Sequence, residues 1–219
     1  MEIHAPDKPI LTVKEAAVHL CIVTIGILIA LSLEGLVEWR HHRALVREAR
    51  ANIASEMRDN RNELRNTRDK IDAMAKRLGD AADAVESMGA AWNSETATKL
   101  FDPKTTSYFV YGYTVAELTR ASYSTAQATG AVGYMDYAEV KGYSEIYDFQ
   151  DTYTRQQMKA FDHVTAAAAI GLGMMKKASP QDIQATTREM RLAMGELVYE
   201  KTFATLLLRA YDRALNGAQ

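Results

Sequence analysis

With 219 residues, a mass of 24.4 kDa and a formal net charge of −2, the chain has room for one ordinary soluble domain beside a membrane segment, and its charge gives no case for nucleic-acid binding. Charged residues at 25% and hydrophobic residues at 47% exclude a disordered chain and a multi-span membrane protein. The only cysteine, Cys21, rules out an intrachain disulfide, and sparse glycine with prolines only at 6, 9, 103 and 180 suits a helical protein.

After a tail over 1–15, residues Ala16 to Leu33 carry no Asp, Glu, Lys or Arg, and His19 is their one ionisable nitrogen base. Eighteen helical residues reach about 27 Å, and continuing through Glu34 to Val37 gives about 33 Å, enough to cross a hydrocarbon core. A transmembrane helix over 16–37 is therefore expected. The alternative is a cleaved signal peptide ending at Ala30-Leu31-Ser32, but the apolar run exceeds the usual signal core and leads straight into helix-forming sequence. Trp39, Arg40, His41, His42, Arg43 and Arg47 are read as the membrane-interface belt, an aromatic ring with snorkelling cations. Only Lys8 and Lys14 precede the span whereas arginines crowd its other side, so the positive-inside rule places the C-terminal domain in the cytoplasm. The same cations are expected to favour anionic lipid headgroups. Gly26 and Ala30 form a small-x-x-x-small pair through which two spans can approach, making a homodimer through the span an open alternative to a monomer.

Beyond the span, apolar or small residues recur in steps of three and four at Val46, Ala49, Ile53, Met57, Leu64, Ile71, Met74, Leu78, Ala81, Val85 and Met88, with Asn60 and Thr67 in the polar interruptions. This coiled-coil-like pattern predicts one long amphipathic helix over about 38–88, with Gly79 a weak point. Arginines alternating with Glu48, Glu56, Asp59 and Glu63 read as its solvated face. Residues 89–107 lose periodicity and contain Asp102-Pro103, marking the main loop, with a short helical turn near Ser94 to Leu100. A second helix is expected over about 114–135. Asp136 caps a third helix over 136–176, with Val140, Tyr143, Tyr147, Gln150, Tyr153, Gln157 and Phe161 on one face. Ser179-Pro180-Gln181-Asp182 starts a fourth over 180–216, repeating at Ile183, Thr187, Met190, Met194, Leu197, Lys201, Ala204, Leu208, Tyr211 and Leu215, with Lys201 the charged intruder. The expected fold is all-α: an N-terminal transmembrane helix leading into the long helix of an up-and-down four-helix bundle over 38–217.

The segment Val23-Thr24-Ile25-Gly26-Ile27-Leu28-Ile29-Ala30-Leu31, followed by Glu34, Glu38-Trp39, Asn60 and Leu64, resembles a family of bacterial single-pass membrane proteins with an N-terminal span and a helical domain of unknown function. The pattern Ser124 to Ala131, with Tyr143, Ile146 and Tyr147, resembles it more loosely. The resemblance implies a bacterial inner-membrane address and brings no catalytic residues with it. The resemblance also implies a basic segment before the span, with the domain facing outward. This chain has only two lysines there.

No phosphate loop, zinc spacing or nucleophile elbow occurs, so no catalytic residue, cofactor or metal site is assigned. Glu34, Glu38, His41 and His42 share a helical face, but a bundle metal site needs ligands from a second helix and His163 stands alone. A metal-dependent envelope enzyme using Glu38, His41 and His42 is thus the least favoured function. Nine of the eleven tyrosines lie between Tyr108 and Tyr153. Tyr143, Tyr147 and Tyr153 are the candidate ligand or partner surface, although the 143, 147 spacing favours rings that fill the core. The expected function is a membrane-anchored interaction or sensory module with an unidentified protein partner; the alternative is a structural tether of a membrane complex.

Overall fold

A computed structural model describes residues 13–93, 95, 98, 113–175 and 177–217. The first part of the tail, the Asp102-Pro103 loop and most of the turn expected near Ser94 lie outside them. Four α-helices whose bounds lie among the described residues follow in order: α1 (Val13–Met88), α2 (Ala121–Ala128), α3 (Tyr137–Met174) and α4 (Pro180–Gly217); Glu95 and Thr98 are helical as well. Short 3-10 turns occupy Gly89–Ala91 and Ala131–Tyr134, and no strand occurs among the described residues. The chain divides into two compact units, Met1–Glu48 and Ala49–Gln219.

In the first unit α1 is exposed on all sides from Val13 to His41 and is apolar over Ala16 to Leu33. It is long and apolar enough to cross a membrane, with none of its most hydropathic window buried. Within it Ser32 Oγ donates to the Leu28 carbonyl at 2.6 Å, and the Arg43 guanidinium lies 5.1 Å from the Trp39 ring centre, a cation–π pairing.

The second unit is the bundle. From Ala49 onward α1 buries Ile53, Met57, Leu64, Ile71, Met74, Leu78, Ala82 and Val85, the expected three-and-four rhythm except that Ala82 takes the buried place expected of Ala81, and Ala81 and Met88 are only partly buried; the helix continues through Gly79. A Cβ there would stand 3.1 Å from the Met194 methyl, so the glycine marks close packing against α4. Cross-helix pairs set the directions. Between α1 and α4, Arg61 meets Asp212, Asp72 meets Lys201 and Glu86 meets Arg191; one number rises as the other falls, so these helices are antiparallel. Between α3 and α4, Phe149 packs on Phe203, Gln156 donates to Glu196 and His163 pairs with Glu189, again antiparallel. Between α1 and α3, Arg50 with Glu139, Glu56 with Tyr147 and Asn60 with Gln150 run in parallel. The topology is up-down-up-down.

The second leg departs from expectation. In place of a helix over 114–135, residues 113–120 are non-helical and only Ala121–Ala128 is α-helical. Along this leg, Ala116 meets Gln157, Thr119 meets Gln150 and Tyr123 meets Tyr147. Seven residues of the leg thus pass about ten of α3, a rate that a helix of equal pitch cannot reach but an extended chain does. Gly130 ends α2 with φ 76°, a left-handed position suited to glycine.

The expected caps form. Asp136 accepts from the Ala138 N–H at 2.8 Å. Ser179 and Asp182 bond reciprocally: the Asp182 N–H donates to Ser179 Oγ, and the Ser179 N–H to Asp182 Oδ2, a capping box with aspartate at its third position. Those bonds hold the Asp182 carboxyl below its ordinary value.

Candidate functional site

An extended segment inside a helical bundle leaves backbone N–H and C=O groups without the partners a helix supplies. Here side-chain amides replace them. Asn60 of α1 takes the Thr119 N–H on Oδ1 at 3.0 Å and donates Nδ2 to the Thr119 carbonyl at 2.7 Å. Gln157 of α3 does the same to Ala116, accepting its N–H at 2.7 Å and donating to its carbonyl at 3.2 Å. Gln150 adds a bond to the Thr119 carbonyl at 3.2 Å. Two amides thus grip the segment from either side, in the way a neighbouring strand would.

Two tyrosine–carboxyl clusters flank these clamps. Near the start of α3, Tyr147 donates to Glu56 Oε1, and the Ser122 N–H donates to Glu56 Oε2 at 2.7 Å. Tyr123 stacks on Tyr147 with ring centres 4.9 Å apart and planes 5° from parallel. Tyr211 of α4 joins through Gln150 Oε1 at 2.6 Å, which also accepts from Asn60. Farther along, Tyr113 and Tyr153 hold Glu200 from two sides, at 3.2 and 3.1 Å. Glu200 is wholly buried; desolvation pushes its carboxyl up to about 7 against the opposing effect of the two phenols. Burial likewise drives the Tyr113, Tyr147, Tyr153 and Tyr211 phenols well above their ordinary value, with the adjacent carboxyls adding to it for the first three. None of these phenols ionises near neutrality.

The predicted surface tyrosines separate. Tyr147 and Tyr153 are completely buried and form the interior clusters, which removes them from any surface; their rings occupy core positions and their hydroxyls find carboxyl partners. Tyr143 alone reaches a groove. It is half-buried, donates to Glu139 at 3.0 Å, and lines a hollow of about 800 Å³ between α3 and α4 with Gly142, Ile146, Phe149, Ala210 and Arg213. Glu139 is held below the ordinary carboxylate value chiefly by its bond to Arg50, while burial and then Glu139 push the Tyr143 phenol up to about 12.

Of the residues expected at a membrane interface, Trp39, Arg40, His41, Arg43 and Arg47 are exposed and His42 is half-exposed; Gly26 and Ala30 in the apolar stretch are exposed. Among the described residues no three His, Cys, Asp or Glu side chains converge as metal ligands do. His163 is not alone, since its Nδ1 lies 2.6 Å from Glu189 Oε2. Glu56 leaves the solvated face to which its charge assigned it, being 6% exposed. Lys201 is not in the core: it bonds Asp72 at 2.6 Å on the exposed side, and its neighbour Glu200 takes the interior place. The signal for Glu200 was present, because Ala193, Leu197, Glu200, Ala204, Leu207 and Tyr211 follow the three-and-four rhythm.

Comparison of the chain with family models, with curated proteins and with solved structures finds no match.

Proposed function

We propose that this protein is a single-pass membrane-anchored helical module that works by binding, as an interaction or sensory domain, and not by catalysis. The observation that carries the reading is α1: one unbroken helix supplies both the apolar, fully exposed stretch and the first core helix of the bundle. Helix displacement is a known means of transmission in proteins. The bundle also contains an element suited to responding, the segment 113–120, which is held by side-chain bonds from its neighbours and so can be released without unwinding a helix. The groove beside Tyr143 is the contact site best placed for a partner.

The arginine-rich flank after the apolar stretch supports a cytoplasmic domain, and with the resemblance at residues 23–64, a bacterial inner-membrane address. Arg40, Arg43 and Arg47 favour anionic headgroups. A reporter active only outside the cytoplasm, fused after Gln219, is expected to be silent; an active fusion overturns the orientation. The binding function is tested by extracting the full-length protein in mild detergent and identifying what copurifies in stoichiometric amount. A protein or small molecule that is lost on Ile146→Arg supports the module. Retention of the same partner in that variant moves the weight to a tether using another face. Recovery of the chain alone, with turnover of a substrate, overturns the reading.

A further inference from the structure

The hydrogen balance around Glu200 is a property of the bundle interior and is independent of membrane anchoring. Four oxygen–oxygen contacts meet in this cluster. Tyr113 Oη lies 3.2 Å from Glu200 Oε2 and 2.9 Å from the Gln157 backbone carbonyl. Tyr153 Oη lies 3.1 Å from Glu200 Oε1 and 3.0 Å from Gln157 Oε1. Both Gln157 oxygens are acceptors only. The side-chain amide cannot be turned round, because its other contacts are the Ala116 N–H on Oε1 and the Ala116 carbonyl on Nε2. If Glu200 is ionised, two phenol hydrogens must serve four contacts, and two remain between lone pairs. One added proton on the carboxyl raises the supply to three hydrogens for the four contacts: Glu200 donates to one phenol, which passes its own hydrogen to Gln157, and a single contact is left unserved in place of two.

Charge around the cluster points the same way. Glu200 is wholly buried, and no cation is among its hydrogen-bond partners within the described residues. The partners are Tyr113 of the extended segment and Tyr153 of α3. The charged groups acting on those phenols are acids, Glu63 of α1 on Tyr153 and Asp162 of α3 on Tyr113. On α4 itself Lys201 is engaged with Asp72 of α1. Glu56 is the contrast, with one phenol and one backbone N–H donating to it and no surplus of acceptors.

We infer that Glu200 is a proton-binding site which is occupied in the folded bundle, and that loss of its proton releases the Tyr113 end of the extended segment. The mechanism is local. A buried, unpaired carboxylate is costly, and the neighbouring element that can move to admit water is the segment 113–120, because Tyr153 and Gln157 belong to a continuous helix.

The test uses full-length protein in detergent, with infrared difference spectroscopy of the carboxylic-acid carbonyl stretch across a pH titration, and amide hydrogen exchange of residues 113–120 alongside. The expected result is a protonated-carboxyl band below neutrality that disappears with a midpoint near 7 and is missing from Glu200→Gln. Once the intrinsic pH dependence of base-catalysed amide exchange is divided out, protection of the segment should fall roughly tenfold across the same midpoint and stay level in Glu200→Gln. If that variant does not fold, Tyr113→Phe serves instead: removing a donor to the carboxyl shifts the band's midpoint to higher pH. Absence of the band in the wild-type protein, a band unmoved by Tyr113→Phe, or segment protection with the same pH step in Glu200→Gln overturns the inference.

Discussion

Gln157 holds Ala116 at both of its backbone polar groups, taking the N–H on Oε1 at 2.7 Å and giving Nε2 to the carbonyl at 3.2 Å. A single glutamine side chain thereby does for one residue of an extended segment what the backbone of the directly opposite residue does in a hydrogen-bonded pair of an antiparallel sheet. Ala116 is 3% exposed, so water cannot take the amide's place.

Gln157→Ala therefore orphans a buried donor and a buried acceptor. The expected loss is about 2–4 kcal/mol. Thermal unfolding followed by circular dichroism measures it, and amide exchange should place the first loss of protection at 113–120. A variant as stable as the wild type would show that the segment is held by packing alone.

Tyr147→Phe removes the phenol that donates to Glu56 while leaving the ring stacked on Tyr123. It is expected to cost about 1–3 kcal/mol, since a buried carboxyl then keeps only the Ser122 N–H. In the double variant with Glu56→Gln the two losses should add to less than their sum, and a double-mutant cycle in denaturant reports the coupling.

Stability should fall with rising pH between about 4.5 and 7, the ordinary and folded values of Glu200. The sign follows from the raised folded value: within this window the folded protein binds more protons than the unfolded chain, so removing protons favours unfolding. The contribution is fully present below 4.5 and lost above 7, a difference of about 3 kcal/mol. Denaturant unfolding at a series of pH values measures it, and in Glu200→Gln this component of the slope should vanish.

Gly130 sits at φ 76° with nothing within 4 Å of where a Cβ would stand. Gly130→Ala is thus a conformational test free of steric clash, expected to destabilise by about 1–2 kcal/mol. The denaturation midpoint should drop with the slope unchanged, because the surface exposed on unfolding stays the same.

Much of the architecture is legible in the residues themselves because it is periodic. The apolar stretch from Ala16, the three-and-four rhythm of α1 through Asn60 and Thr67, and the starts of α3 at Asp136 and of α4 at Ser179-Pro180 depend on neighbours within a few positions along the chain. Helix length, amphipathic face and capping are all set at that range. Tertiary structure alone decided the second leg and the polar interior. The stretch VAELTRASYSTAQA has no local reason to stay extended up to Arg120; it does so because Asn60 and Gln157, far off in sequence, satisfy its backbone and because the leg must keep pace with α3. Glu56 and Glu200 carry charge that sequence reasoning sends to water, yet the fold buries them, since the phenols and backbone N–H groups that meet them come from other elements and exist as partners only once the bundle is assembled.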